Sequence, residues 1–349
     1  MNQNTEKLVQ LLRSNRRMDG SILAAYCRVT SKYGDNDDAA ALFRVFAEQP
    51  SDYRRTMLLD PIMRCGDLAL AEEIGYFCFE HGMLKEDMPS ELLHVLGYMG
   101  YEKYTGYMVD CIGANDYDLS QNACLGLLHL PCESYQEQLE KELEKVYGQA
   151  LFPEFLPALG FKFADERIIP RLLAWGEQAS TDCNAGLVFG ISMFGEAQKD
   201  QVKRILMNPH WEMYSTGTGS HWWGYMSMQT VGLTFGELVA DFKGRSENAG
   251  MDKQTMEYEL EVLHDLLELK LAGDPHPARF SPLNPESVTD LYQKVFQWSS
   301  EHKDDSVPGR ISSCLGYNHP LLDKFMHLRF KMELGMRQEL ELQALTKHG

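Results

Sequence analysis

The feature that most limits what this chain can fold into is a short motif returning at a near-constant interval. A glycine between large apolar residues occurs at Leu96-Gly97-Tyr98, Leu125-Gly126-Leu127, Leu159-Gly160-Phe161, Phe189-Gly190-Ile191 and Trp223-Gly224-Tyr225. Successive glycines lie 29, 34, 30 and 34 residues apart. After each of the first four comes a short break and then a more polar segment with apolar residues at three-and-four spacing: 101–112, 133–147, 165–175 and 196–207. An apolar helix alternating with a polar-faced one at this period is the pattern of a helical solenoid. One such pair cannot bury its apolar face alone, so neighbours stack and share a core. Glycine suits the middle of the apolar helix if that helix crosses its neighbour too closely for a side chain.

Helical periodicity continues outside these repeats, at 6–13, 21–32, 38–48, 67–81, 253–271 and 319–344. Asn36-Asp37-Asp38 and Asp87, the latter shortly before Pro89, read as helix starts; Gly34, Gly82, Gly148 and Gly273 read as stops. The chain has no run of alternating β-branched residues and no Asn-Gly hairpin turn, so the expected class is all-α. Ala158-Leu159-Gly160, followed by Asp165-Glu166-Arg167-Ile168-Ile169-Pro170-Arg171-Leu172-Leu173, resembles the A-L-G … D-x-R-x-x-x-x-L-L repeat of the HEAT-like proteins of the short bacterial kind. The resemblance covers residues 88–240; segments 101–112 and 133–147 depart from it in lacking the Asp-x-Arg step. It implies a right-handed α–α superhelix whose second helices line the concave surface. On this reading residues 1–87 lead into the array and 88–240 form it. Residues 241–285 connect onward through Gly273-Asp274-Pro275-His276-Pro277, and 286–349 supply C-terminal capping helices. The amphipathic 319–344 segment fits a dimer seam as well as a cap.

Charge narrows the partners. Thirty-three Lys and Arg against 51 Asp and Glu give a formal net charge of −18, which repels phosphate backbones and anionic membranes. No run of 18 or more apolar residues occurs, and Met1 to Arg17 contains no apolar signal core, so the expected location is the cytoplasm. The eight cysteines form no C-x-x-C pair and mostly sit in apolar runs, as expected of reduced, buried thiols rather than of a disulfide framework or zinc ribbon.

Four groups of residues invite a functional reading. Trp211, Trp222 and Trp223 fall within 13 positions, beside the Ser215-Thr216-Gly217-Thr218-Gly219-Ser220 stretch, and could form a binding wall. Trp223 flanks the fifth repeat glycine, so it is expected in the solenoid core, and the binding role falls to the loop half from Trp211 to His221. Glu91-x-x-His94 and Glu261-x-x-His264 have the spacing of di-iron ligands on one helix face, but 11 His and 29 Glu produce about one such pair by chance. The HEAT-like di-iron hydroxylases carry His-Glu dipeptides, which this sequence lacks; no metal and no cofactor is expected. HEAT-like DNA glycosylases use a basic concave face, whereas the second helices here carry Glu102, Glu133, Glu137, Glu140, Glu142, Glu144, Asp165, Glu166 and Glu196. Finally, Ser180-Thr181-Asp182-Cys183-Asn184 reads as a helix N-cap, with Ser180 or Thr181 accepting from backbone N–H groups.

The leading expectation is therefore a protein-interaction module that binds a basic protein or peptide on an acidic face. Its contacts would come from Glu102, Asp110, Glu166, Arg167, Arg171, Lys199 and Lys203. A rival expectation is a helical enzyme or small-molecule binder, of which the HEAT-like phycobilin lyases are an instance. Residues 208–225 would then form the pocket, with Trp211, Tyr214, His221 and Trp222 as binding residues and His221, Tyr214 or Asp182 as acid–base groups. An acidic inhibitor or immunity-type protein would need the same acidic face.

Overall fold

Short polar side chains start most of the helices near the N-terminus. The computed structural model describes residues 1–14, 33–50, 52–164, 166–211 and 220–248, with further positions within 23–31 and 251–266. These residues are predominantly helical and fall into two compact units that divide between Glu142 and Leu143. Helix α1 (Gln3–Arg13) is capped by Asn2, whose side chain accepts from the backbone of Asn4 and Thr5. Helix α2 (Asn36–Glu48) begins with a capping box between Asp35 and Asp38. Asp38, wholly buried, also accepts from the backbone and side-chain nitrogens of Asn2, which ties α1 to α2.

Helices α3 (Tyr53–Thr56), α4 (Leu59–Cys65) and α5 (Leu68–Cys78) follow, the last capped by Asp67. The periodic stretch 67–81 thus ends earlier than its pattern suggests. Phe79–Glu80 (β1) and Met83–Leu84 (β2) form a small antiparallel hairpin, turned by His81 (φ +51°) and Gly82 (φ +83°). Two-residue strands are too short to show an alternation, and His-Gly replaces the usual Asn-Gly. The first unit then runs through α6 (Glu91–Tyr98), α7 (Thr105–Cys111), α8 (Tyr117–Leu127) and most of α9 (Gln136–Val146).

Within this unit α2 packs on α4, α4 on α6, and α6 on α8, while α7 lies against α8. The glycine expectation holds at the α6–α8 crossing. A β-carbon on Gly97 would overlap the Gly126 backbone, and one on Gly126 would press on the Leu93 carbonyl. Leu92, Leu93 and Leu96 of α6 and Ala123, Cys124 and Leu127 of α8 are all fully buried.

The second unit, from Leu143, contains α10 (Ile169–Gly176), α11 (Thr181–Ser192), α12 (Lys199–Leu206), α13 (Ser220–Thr230) and α14 (Phe235–Asn248). Helix α11 packs on α13 and on a 3-10 turn at Pro157–Lys162. A β-carbon on Gly186 would overlap the Glu154 carbonyl, and one on Gly190 would crowd that of Pro157. Gly160 departs from the expectation: the third repeat is this 3-10 turn, not an α-helix, and a β-carbon there would meet only Ile168 Cδ1, at 3.4 Å. Helix α14 also covers Asp241 to Asn248, read from the sequence as a polar connection. Arg245 accounts for this: it bonds Asp241 one turn back and the fully buried Glu259.

A second regularity lies in the polar helices. Four of them open with a 3-10 turn whose first residue is an exposed glutamate: Glu102, Glu133, Glu166 and Glu196, spaced by 31, 33 and 30 residues. A carboxylate there faces the positive end of the helix dipole, so the residue type follows from its place. The linker at 273–285, the cap at 286–349, the 319–344 helix and Cys314 lie outside the described residues.

Candidate functional site

The second helices of the two units treat their charges differently. In the first unit Glu72, Glu73, Glu102, Asp110, Glu133, Glu137 and Glu140 are all exposed. Asp110 accepts from Gln138 Nε2 at 3.2 Å and Glu140 from Gln136 Nε2 at 2.7 Å; among the described residues none of the seven closes a salt bridge. Residues 68–142 contain 14 acidic side chains against three lysines and no arginine. On the same unit Leu68, Glu72 and Tyr76 follow one another at four-residue spacing along α5, and Tyr76 is 89% exposed.

In the second unit, residues 143–248, there are 12 acidic and nine basic side chains. Arg171 grips Glu144 with two bonds of 2.7 and 3.0 Å and lies 4.1 Å over the Tyr147 ring. The Arg171 guanidinium holds the Glu144 carboxyl below the usual carboxylate range. Lys199 pairs with Glu237 at 2.8 Å, and Lys203 sits between Asp200 and Asp241 at 3.3 and 3.4 Å. Of the expected contact residues, Glu102, Asp110, Glu166, Arg167 and Arg171 are exposed, and Arg171, Lys199 and Lys203 form salt bridges inside their own unit.

The aromatic segment divides. Trp211 is 4% exposed, and its ring fills the place that a side chain on Gly176 would need. Trp223 lies between Phe155 (centroids 4.3 Å apart) and Phe189 (5.1 Å), in the core beside α11. Tyr214 lies outside the described residues. The backbone places His221 and Trp222 in the first turn of α13 and Asp182 in the first turn of α11; their side chains are outside the described set.

Two stretches read separately in the sequence meet in the structure. Asn184 Nδ2 donates to the Trp211 carbonyl at 2.6 Å, which joins α11 to the turn at Pro209–Trp211. Beside this bond an open groove of about 560 Å³ runs past Gly176, Ser180, Asn184, Asn208, Pro209 and His210. Ser180 occupies the N-cap position with extended backbone, yet its hydroxyl makes no capping bond. The expected cap is therefore present in backbone geometry only. The Ser180 hydroxyl and the Asn184 amide oxygen are both buried without a hydrogen-bond partner. Sequence reading missed this pairing because it depends on residues 27 positions apart, and neither stretch carries a local sign of the other.

His94, whose Glu-x-x-His spacing matches that of a metal ligand, is half-buried on α6. Its ring stacks on His129 at 5.9 Å and meets Tyr98 edge-on. Burial, reinforced by the neighbouring His129, pushes its imidazole down to about 4. Among the described residues no group of three His, Cys, Asp or Glu side chains could hold a metal ion. Likewise among them, no helix is long and apolar enough to cross a membrane. Cys27, Cys65, Cys78, Cys111, Cys124, Cys132 and Cys183 are buried free thiols, and burial pushes Cys65 up to about 11 and Cys78 up to about 12. No protein-family model, curated protein or solved structure matches this chain.

Proposed function

We propose that the protein is a HEAT-like helical-repeat interaction module and that the second helices of residues 68–142 receive a basic protein or peptide. The repeat reading is supported by two series of packed first helices, α4–α6–α8 in one unit and the 157–162 turn, α11 and α13 in the other. The recurring glutamate at the start of four second helices supports the same register. The observation that carries the partner reading is the row of exposed carboxylates at 72, 73, 102, 110, 133, 137 and 140, with almost no cations among them. Such a surface speeds encounter with a positive partner and rejects anionic ones. Tyr76 adds an exposed ring, the kind of residue that anchors interfaces and accepts a lysine or arginine over its face. The buried reduced thiols support a cytoplasmic setting.

Native mass spectrometry of untagged protein from its own source should recover a basic partner. Binding of that partner by calorimetry should weaken about tenfold or more in a Glu102→Lys, Glu137→Lys, Glu140→Lys variant, and again at high salt. Arg171→Gln, in the other unit, should leave it within about twofold. A partner that binds the reversed variant as tightly as the original sinks the reading.

A further inference from the structure

We propose that Glu73 and Tyr76 on α5 form a cradle for one arginine side chain of the basic partner. This rests on the acidic-face reading and sharpens it from charge to residue type. The template lies in the other unit, where Glu144 and Tyr147 stand three residues apart at the end of α9. The Tyr147 N–H continues the helix by donating to the Leu143 carbonyl, so the two side chains share a face. Arg171, from the next second helix, lies 4.1 Å over the Tyr147 ring and makes two bonds to the Glu144 carboxylate, at 2.7 and 3.0 Å. One planar guanidinium thus meets a ring with its flat face and a carboxylate with its edge, which an ammonium group cannot do.

Of the 16 tyrosines, only Tyr76 and Tyr147 follow a glutamate by three residues. Glu73 and Tyr76 both lie within α5, so they repeat the spacing of the template on one helix face. What differs is the neighbouring helix. Arg171 stands five residues after Glu166, the glutamate that opens its helix; five residues after Glu102, the matching position holds Tyr107, which turns edge-on to Phe79. Residues 68–142 contain no arginine, Lys85 donates to the Phe77 carbonyl, and Lys103 lies 5.5 Å from the Tyr104 ring centroid. Among the described residues no cation of this chain therefore covers the pair, and Tyr76 is 89% exposed where Tyr147 is 38% exposed. Glu72, one turn before Tyr76 on the same exposed face, adds a second carboxylate and turns away an anionic occupant.

The experiment is a calorimetric titration of the full-length protein with hexa-arginine amide and, separately, with hexa-lysine amide, two peptides of equal charge. Both should bind, the arginine peptide more tightly. In Tyr76→Leu, a change at a side chain too exposed to matter for folding, the ratio of the two affinities should fall by about threefold, the usual effect of one exposed cation–π contact. Glu73→Gln should lower the ratio as well, because it removes the charged fork that a guanidinium matches. Tyr117→Leu is the control: Tyr117 is an exposed tyrosine of the same unit with Ala114 three residues before it, and the ratio should not change. If neither peptide binds, the acidic-face reading fails and this proposal fails with it. If the two bind equally, or the ratio survives Tyr76→Leu, the cradle is overturned while the acidic-face reading stands. A ratio that falls as far in Tyr117→Leu also overturns it, since any exposed ring would then serve.

Discussion

Residues 68–142 and 143–248 use similar helix pairs and dispose of charge in opposite ways. In the first stretch carboxylates stand on successive second helices with little of opposite sign opposite them. In the second, Arg171 closes on Glu144, Lys199 on Glu237, and Lys203 on Asp200 and Asp241. Since stacked helices can be held by either arrangement, the stack cannot be the work of the ion pairs. Its common factor is the close crossing at glycine, with Gly97 on Gly126 in one unit and Gly186 on Glu154 in the other. The seven exposed carboxylates at 72, 73, 102, 110, 133, 137 and 140 lower the stability of their unit through self-repulsion, which makes them the stronger candidate for a surface kept for a partner.

The largest effect should come from filling a crossing. Gly97→Ala and Gly186→Ala each place a β-carbon where backbone atoms already lie, so the helices must move apart. A loss of about 3 kcal/mol or more is expected for each, measured by chemical denaturation. Gly160→Ala, whose β-carbon would make one ordinary contact at 3.4 Å, should stay within about 1 kcal/mol. Equal losses at all three would break the idea that crossing glycines are the shared device.

Much of this was legible in the residues themselves. The 29–34-residue glycine interval pointed to α6, α8, α11 and α13, because period and close packing are local consequences of composition. It fails at Gly160, where the chain from Pro157 to Lys162 makes a 3-10 turn instead of an α-helix. The Glu102, Glu133, Glu166 and Glu196 register was visible in the sequence and would have fixed the second helices more sharply than their amphipathic pattern. Trp211 could not be sorted from its neighbours, because Gly176, which its ring covers, lies 35 positions away. The idle Asn184 oxygen was hidden for the same reason: hydrogen-bond satisfaction depends on the whole packed neighbourhood.

Acidification should act on the first unit by way of His94. Its folded value, about 4, lies below the 6.5 of an unburied imidazole, so between those values the unfolded chain binds more protons than the folded one. Stability from this group is therefore complete above pH 6.5 and is lost as pH falls toward 4. Going from pH 7 to pH 5 should cost about 2 kcal/mol, and His94→Gln should remove that slope. Peptide-level hydrogen exchange at the two pH values would show whether protection falls first around α6 and α8, as this requires. A variant that keeps the full slope would remove His94 from the account.

Salt should separate the two units with the smallest but most direct signal. Surface ion pairs such as Arg171–Glu144, exposed by 44% and 60%, contribute little, and a double-mutant cycle on them should give a coupling below about 1 kcal/mol. Screening weakens that attraction, so added salt should slightly lower protection near α10. In residues 68–142 the dominant long-range force is repulsion among 14 acids, offset by only three lysines, and screening weakens that as well. Protection of α5 and α7 should therefore rise as ionic strength passes about 0.1 M, where the screening length falls to about 10 Å. The opposite signs are what matter, since a general salt effect on hydrophobic burial would move both units the same way. If both fall together, the acids of the first unit are locally compensated, and the case for a basic partner rests on Tyr76 alone; if both rise together, salt is acting through hydrophobic burial and not through charge.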